Sequence, residues 1–191
     1  MIDKLTGQKL VCPWWLCFTF DNALRKLLHN PEAILGPHVK PGDNVIDNGA
    51  GMGYFSIPLA RLVGPSGHVT AIDIQPQMLS ALAKRAQRAG VSERITTHLA
   101  SQESLGPHPK ADFILAFWML HEVPDQRRFL TEVCELLTPD GLFLVVEPVL
   151  HVAKRSFLRV LEIAKEIGFS VKEQPRIRLS HSALLIRPRF C

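Results

Sequence analysis

The chain has 191 residues, enough for one domain with a sizeable core. Hydrophobic residues make up 47% and charged residues 21%, the balance of an ordinary globular protein, and the net charge is only +4. The basic residues are dispersed, which argues against nucleic-acid binding driven by charge, and no apolar run is long enough to span or insert into a membrane. Cys12, Cys17, Cys134 and Cys191 are scattered, and a chain with this much core does not need disulfides, so a reducing, cytoplasmic setting is expected. A secretory leader is not expected either, because Pro13 interrupts the short apolar run that follows Asp3 and Lys4.

In chain order, Leu10 to Phe20 is an apolar patch that carries Trp14 and Trp15, two of the three tryptophans. It reads as a flap on the core or as a lid that walls a substrate pocket, since large aromatic anchors recur in pockets. Asp21 or Asn22 can cap a helix through Leu28, and a second short helix spans Glu32 to Leu35. Pro41-Gly42-Asp43 turns the chain into a first strand that ends at Asp47. A helix follows from Phe55 to Val63, then a strand from His68 to Asp73. The next helix opens at Gln75-Pro76, carries Met78, Leu79, Leu82 and Ala86 on one face, and stops at Gly90. Ile95–Leu99 and Ala111–Phe117 read as strands three and four, with a helix from about Asp125 to Leu137 behind them. Thr138-Pro139-Asp140-Gly141 reads as the turn into a fifth strand, Leu142–Glu147. A helix from Ser156 to Ile167 and two last strands, Ser170–Gln174 and Ala183–Arg187, complete the chain. Strands alternating with helices imply a doubly wound α/β fold, a mostly parallel sheet covered on both faces. The final pair, with no helix between its strands, implies an antiparallel edge. One domain is expected, with residues 1–40 as a helical lid or cap and 41–191 as the core.

The most informative stretch is Asp47-Asn48-Gly49-Ala50-Gly51-Met52-Gly53, where a strand turns into a helix through alternate glycines. Glycine tolerates positive φ and lets a ligand approach the backbone. The spacing is G-x-G-x-G, not the dinucleotide G-x-G-x-x-G. Asp73 ends the second strand, where a carboxylate can accept from ribose hydroxyls. Asp47 would repel a phosphate and suits a cationic ligand instead. Ligands in such sheets bind beyond the carboxyl ends of the strands. This singles out the tips: Asp47 to Gly53, Asp73 with Ile74, Ser101 with Gln102, Phe117 to Glu122, and Glu147.

Asp47 to Gly53, followed by Ala71-Ile72-Asp73-Ile74, resembles motifs I and II of the class I S-adenosylmethionine-dependent methyltransferases. The nearest branch is the small-molecule one that includes the ubiquinone/menaquinone-biosynthesis enzymes. The loop matches the family's E/D-x-G-x-G-x-G at Asp47, Gly49, Gly51 and Gly53. Asn48 and Ala50 are less usual residues inside that loop, although both are small, and Ser101 stands where the family often has an adenine-binding Asp. The resemblance implies a Rossmann-like, seven-stranded sheet of order 3-2-1-4-5-7-6 with strand seven antiparallel. It also implies S-adenosylmethionine as methyl donor and S-adenosylhomocysteine as product. Cofactor contacts are expected from Asp47, Gly49, Ala50, Gly51 and Gly53, from Asp73, Ile74 and Met78, and from Ser101, Gln102 and Phe117. His121 is a candidate general base, because imidazole titrates near neutrality. Trp14, Trp15, Trp118 and Glu147 are candidates for the substrate side, and Glu147 reads equally as a residue that fixes a loop.

The expected reaction is methyl transfer to a small-molecule acceptor. A nucleic-acid amino-methyltransferase would carry D/N-P-P-Y/F after strand four, and Phe117-Trp118-Met119-Leu120 does not match it. The alternatives are a non-catalytic binder of S-adenosylmethionine or S-adenosylhomocysteine, and a nicotinamide-dependent oxidoreductase, against which the glycine spacing argues. No metal site is expected, although arsenic-methylating relatives hold their substrate with several thiolates. Nothing in the sequence specifies an oligomeric state.

Overall fold

The computed structural model describes residues 28–101, 103–106 and 108–187. In order these are α1 (Pro31–Leu35), β1 (Asn44–Asn48), α2 (Ser56–Leu62), β2 (His68–Asp73), α3 (Pro76–Arg88), β3 (Ile95–Leu99), β4 (Ala111–Phe117), α4 (Gln126–Leu136), β5 (Leu137–Pro148), α5 (Lys154–Ile167), β6 (Ser170–Glu173) and β7 (Ser180–Ile186). Single 3-10 turns stand at Ser92–Arg94 and Leu120–Glu122. The strands form one sheet in the order β3-β2-β1-β4-β5-β7-β6. The first five pair in parallel, and β7 runs antiparallel to both β5 and β6.

Burial on both faces explains why the central strands are nearly continuous apolar runs. Alternate residues of β1, β2, β4 and β5 face opposite ways. Ile46, Ile72, Ile114 and Val145 pack with Phe129, Leu130 and Val133 of α4 and with Phe157 and Val160 of α5. Val45, Val69, Leu115 and Val146 pack with Leu35 of α1, Leu59 of α2 and Leu82 of α3. Each such side chain contributes about 1.5–3 kcal/mol when fully buried. The one carboxylate within β4 has a structural task. Asp112 accepts from the Asn44 backbone N–H at 2.9 Å and from the Thr138 hydroxyl at 3.2 Å, so it ties together the starts of β1 and β5.

Local signals set the helix ends. Asn30 caps α1 through its side chain, with Pro31 at the first helical position. Asp125 caps α4 by accepting from Arg128 N–H at 2.9 Å. Gly168 closes α5 at φ 117°.

Three boundaries differ from the sequence reading by more than one residue. The expected turn at Thr138–Gly141 lies inside β5, which starts directly at Leu137. Leu137 pairs with Ala111 and Leu142 with Phe113, so the four residues between them form a bulge inside the strand, where Asp140 takes φ 63°. β7 begins at Ser180, not Ala183, because β5 runs on to Pro148 and pairs with it there. α5 begins two residues before Ser156, at Lys154. The helix expected from Asp21 lies outside the described residues as far as residue 27. Among the described residues, no helix is long and apolar enough to cross a membrane.

Candidate functional site

The strand order reverses between β1 and β4, which places a crevice at their carboxyl ends. The glycine loop rises from β1 into it. Gly49, Gly51 and Gly53 all have positive φ, at 72°, 54° and 85°. Their surroundings differ. A Cβ on Gly49 would lie 2.9 Å from Met119, and one on Gly53 would lie 2.9 Å from Leu82, whereas one on Gly51 would meet nothing within 4 Å. Two glycines are therefore required by packing, and the middle one keeps an open backbone surface.

The loop is fastened to β2. Gly49 N–H and Ala50 N–H both donate to Ile72 C=O, at 2.9 and 3.0 Å, and Gly53 N–H donates to Ala50 C=O at 3.0 Å. Gly51 N–H donates to the Asp73 carboxylate at 2.9 Å. Phosphate cradles present loop N–H groups to their ligand. Here four of those groups are already engaged by the protein, which is the structural argument against a pyrophosphate ligand.

Asp73 is 9% exposed and accepts from Gln75 N–H at 2.9 Å with its other oxygen. Burial pushes its carboxyl above the ordinary value of 3.8, partly opposed by these N–H donors. Each carboxylate oxygen can accept more than one bond, so both retain capacity for a hydroxyl-bearing ligand. Asp73 thus joins the loop, the start of α3 and the crevice. Asp47 is 2% exposed and accepts from the Ser56 hydroxyl at 2.6 Å, tying β1 to α2. Ile74 follows Asp73 and is half-buried, and Met78 is buried in the first turn of α3. Ser101 is exposed, and its hydroxyl accepts from Glu103 and Ser104 N–H at 3.2 and 3.0 Å, so it shapes its own loop. Gln102, Trp14 and Trp15 lie outside the described residues.

At the tip of β4, Phe117 is buried against Phe55, with ring centroids 4.3 Å apart. Trp118 has φ 61°, an outlier for a bulky residue that the surroundings must hold in place. Its backbone N–H donates to Val146 C=O at 2.7 Å, and its indole N–H donates to the Ser180 hydroxyl at 3.0 Å. His29 stands edge-on to both Phe117 and Trp118 and donates through Nε2 to Arg178 C=O at 2.8 Å. No sequence signal pointed to His29; only the fold brings it here.

Glu147, read from the sequence either as a substrate-side residue or as one that fixes a loop, does anchor a loop. It is 1% exposed, and its oxygens accept from Leu120 N–H at 3.0 Å, His121 N–H at 3.2 Å and His121 Nδ1 at 2.7 Å. Gln126 adds a bond from Nε2 to Leu120 C=O at 3.1 Å, which further fixes the turn. The pairing of His121 with Glu147 was not readable from either residue alone. Cys134 is buried in α4, and the other three cysteines lie outside the described residues.

The switch-point crevice, the glycine loop and the acid at the tip of β2 define a nucleotide-type ligand site on a doubly wound sheet. The methyltransferase domain profile matches residues 39–175, and the chain belongs to that family. It is 30% identical over 118 residues to the demethylmenaquinone methyltransferase of Symbiobacterium thermophilum, covering 61% of this chain and 47% of that protein. It is 33% identical over 110 residues to the ubiquinone/menaquinone biosynthesis C-methyltransferase UbiE of Pasteurella multocida, covering 57% of this chain and 41% of that one. The matches therefore span less than half the length of these two relatives. Among solved structures, a SAM-dependent methyltransferase from Aquifex aeolicus superposes with a TM-score of 0.83 at 22% identity, over 92% of this chain and 99% of that one. The [4+2]-cyclase SpnF shares the fold, with a TM-score of 0.70 at 16% identity over 84% of this chain and 81% of that one. The fold by itself therefore does not specify a reaction.

Proposed function

We propose that this chain transfers the methyl group of S-adenosylmethionine to a small-molecule acceptor. The observation that carries the reading is the loop–β2 junction, where an open Gly51 backbone stands beside a buried carboxylate that retains acceptor capacity. These residues fit the group. Asp73 would take the ribose hydroxyls, Gly51 would admit the chain of the cofactor close to the backbone, and Ile74 and Met78 would flank the base. The engaged loop N–H groups and the carboxylate of Asp47 favour a ligand with cationic rather than phosphate chemistry. When bound, S-adenosylmethionine supplies an electrophilic methyl on a positively charged sulfur.

The protein's own part is alignment and proton management. Holding donor and acceptor in line replaces a bimolecular encounter with a positioned one. Trp118, held at the tip of β4, would be a wall against which an acceptor is oriented, and His121 would receive a proton. The demethylmenaquinone and ubiquinone/menaquinone relatives point to a small organic acceptor rather than a macromolecule. We place the protein in the cytoplasm.

The test is calorimetric titration with S-adenosylmethionine, S-adenosylhomocysteine and NADH side by side, followed by transfer of labelled methyl to a panel of phenols, amines and thiols. Binding of the first two with transfer to one acceptor class is the expected result. NADH binding alone refutes it. Cofactor binding with no transfer across the panel identifies a non-catalytic binder.

A further inference from the structure

Three donors converge on one buried carboxylate at the tip of β5. Leu120 N–H reaches one oxygen of Glu147 at 3.0 Å, and His121 reaches the other through its backbone N–H at 3.2 Å and its ring Nδ1 at 2.7 Å. An ionised carboxylate only accepts hydrogen bonds. In the neutral imidazole the single ring proton must then sit on Nδ1, and Nε2 carries the lone pair. The two backbone bonds fix the turn that carries the ring, so ring position and proton position are set by the same side chain. Carboxylate partners orient catalytic histidines in this way and stabilise the imidazolium once a proton arrives.

We infer that Glu147 is the positioning residue of the site. It holds His121 in the Nδ1–H tautomer so that Nε2 receives the proton of an acceptor whose attacking atom bears one. The inference rests on the methyl-transfer reading above. In that step the acceptor atom X forms a bond to the methyl carbon, and the carbon–sulfur bond breaks with its electron pair staying on sulfur. The proton of X–H passes to Nε2. Nothing else is consumed. An acceptor that reacts without losing a proton would not need the pair. Other imidazoles stand close by. His151 has its ring 6.1 Å from that of His121, and His181 lies opposite Glu147 in the β5–β7 register with its ring stacked on Phe157. The test must therefore single out His121.

The full chain labelled with ¹⁵N-histidine reports each ring's tautomer by long-range ¹⁵N–¹H correlation at about pH 8.5, above the ordinary imidazole range. His121→Gln assigns the signal. The expected result is an Nδ1–H His121 in the wild type. In Glu147→Gln, which keeps the volume but loses the charge and one acceptor, the form becomes mixed or its ring proton exchanges about tenfold faster or more. The variant's affinity for S-adenosylmethionine stays within about threefold of wild type. A backbone-anchoring role alone would leave the tautomer unmoved. An Nε2–H His121 in the wild type overturns the proposal even if Glu147→Gln does not fold, and so does an unchanged ring in a folded variant. An Nδ1–H ring in a wild type that does not bind S-adenosylmethionine overturns the methyl-transfer reading, and with it the role of Nε2, while leaving the tautomer assignment in place.

Discussion

Replacing Asp73 with alanine should weaken S-adenosylmethionine and S-adenosylhomocysteine binding over and above its cost to the fold. The carboxylate accepts from Gly51 N–H and from Gln75 N–H, both at 2.9 Å. Hydrogen bonds to a charged group contribute about 1.5–3 kcal/mol each, and less where water can enter the space that the lost side chain leaves. An opposing effect follows from burial, which raises the Asp73 carboxyl above its ordinary range; removing the group relieves that desolvation. The net loss of stability should be about 1–2 kcal/mol. Binding should fall by a further ~1–3 kcal/mol, roughly 5- to 150-fold in Kd, because the ribose hydroxyls lose their acceptor and the Gly51 loop loosens. Calorimetry on the folded variant, with folding checked by thermal denaturation, measures both. Unchanged affinity alongside the expected loss of stability would refute the ribose placement and leave Asp73 as a loop fastener only.

The glycines should separate by the same two readouts. Gly49→Ala forces a Cβ to 2.9 Å from Met119 at φ 72°, so denaturation should show a loss of about 2–4 kcal/mol. Gly51→Ala at φ 54° meets nothing and should cost only about 1–2 kcal/mol, with a proportionally larger loss of cofactor affinity. Equal effects on both would mean that Gly51 does not face the ligand. Asn48 is 1% exposed, and neither polar atom of its side chain has a partner among the described residues. Asn48→Val should therefore raise stability by about 1 kcal/mol in urea denaturation, and a loss would reveal a hidden partner. For pH, the folded Asp73 carboxyl sits above its unfolded value of 3.8. The unfolded chain then ionises first, and Asp73's contribution to stability falls as pH rises from about 3.8 through the raised value. The stability of wild type relative to Asp73→Asn should decline across that window and be flat above it; a difference that grows with pH would contradict the burial argument.

Much of this molecule was determined locally. Strand–helix alternation is written in the periods of the apolar residues, because a buried parallel strand and an amphipathic helix demand different spacings. The glycine loop is equally local. Positive φ at Gly49, Gly51 and Gly53 is a backbone property, and the departure from dinucleotide spacing can be read residue by residue. Asp73 stood out because a strand tip is defined by its own neighbours. The strand order came from resemblance to a family rather than from any physical count. What the chain could not declare were contacts between tips that are distant in sequence. Gly51 and Asp73 are 22 residues apart, Glu147 and His121 are 26 apart, and His29 and Arg178 are 149 apart. Each pair meets only because the sheet order sets particular strand ends side by side. The face on which Asn48 lies and the depth of Glu147 were likewise decided by packing. Propensity and periodicity act over a few residues, whereas the partner of a buried polar group is chosen by whichever distant backbone the completed sheet brings within about 3 Å.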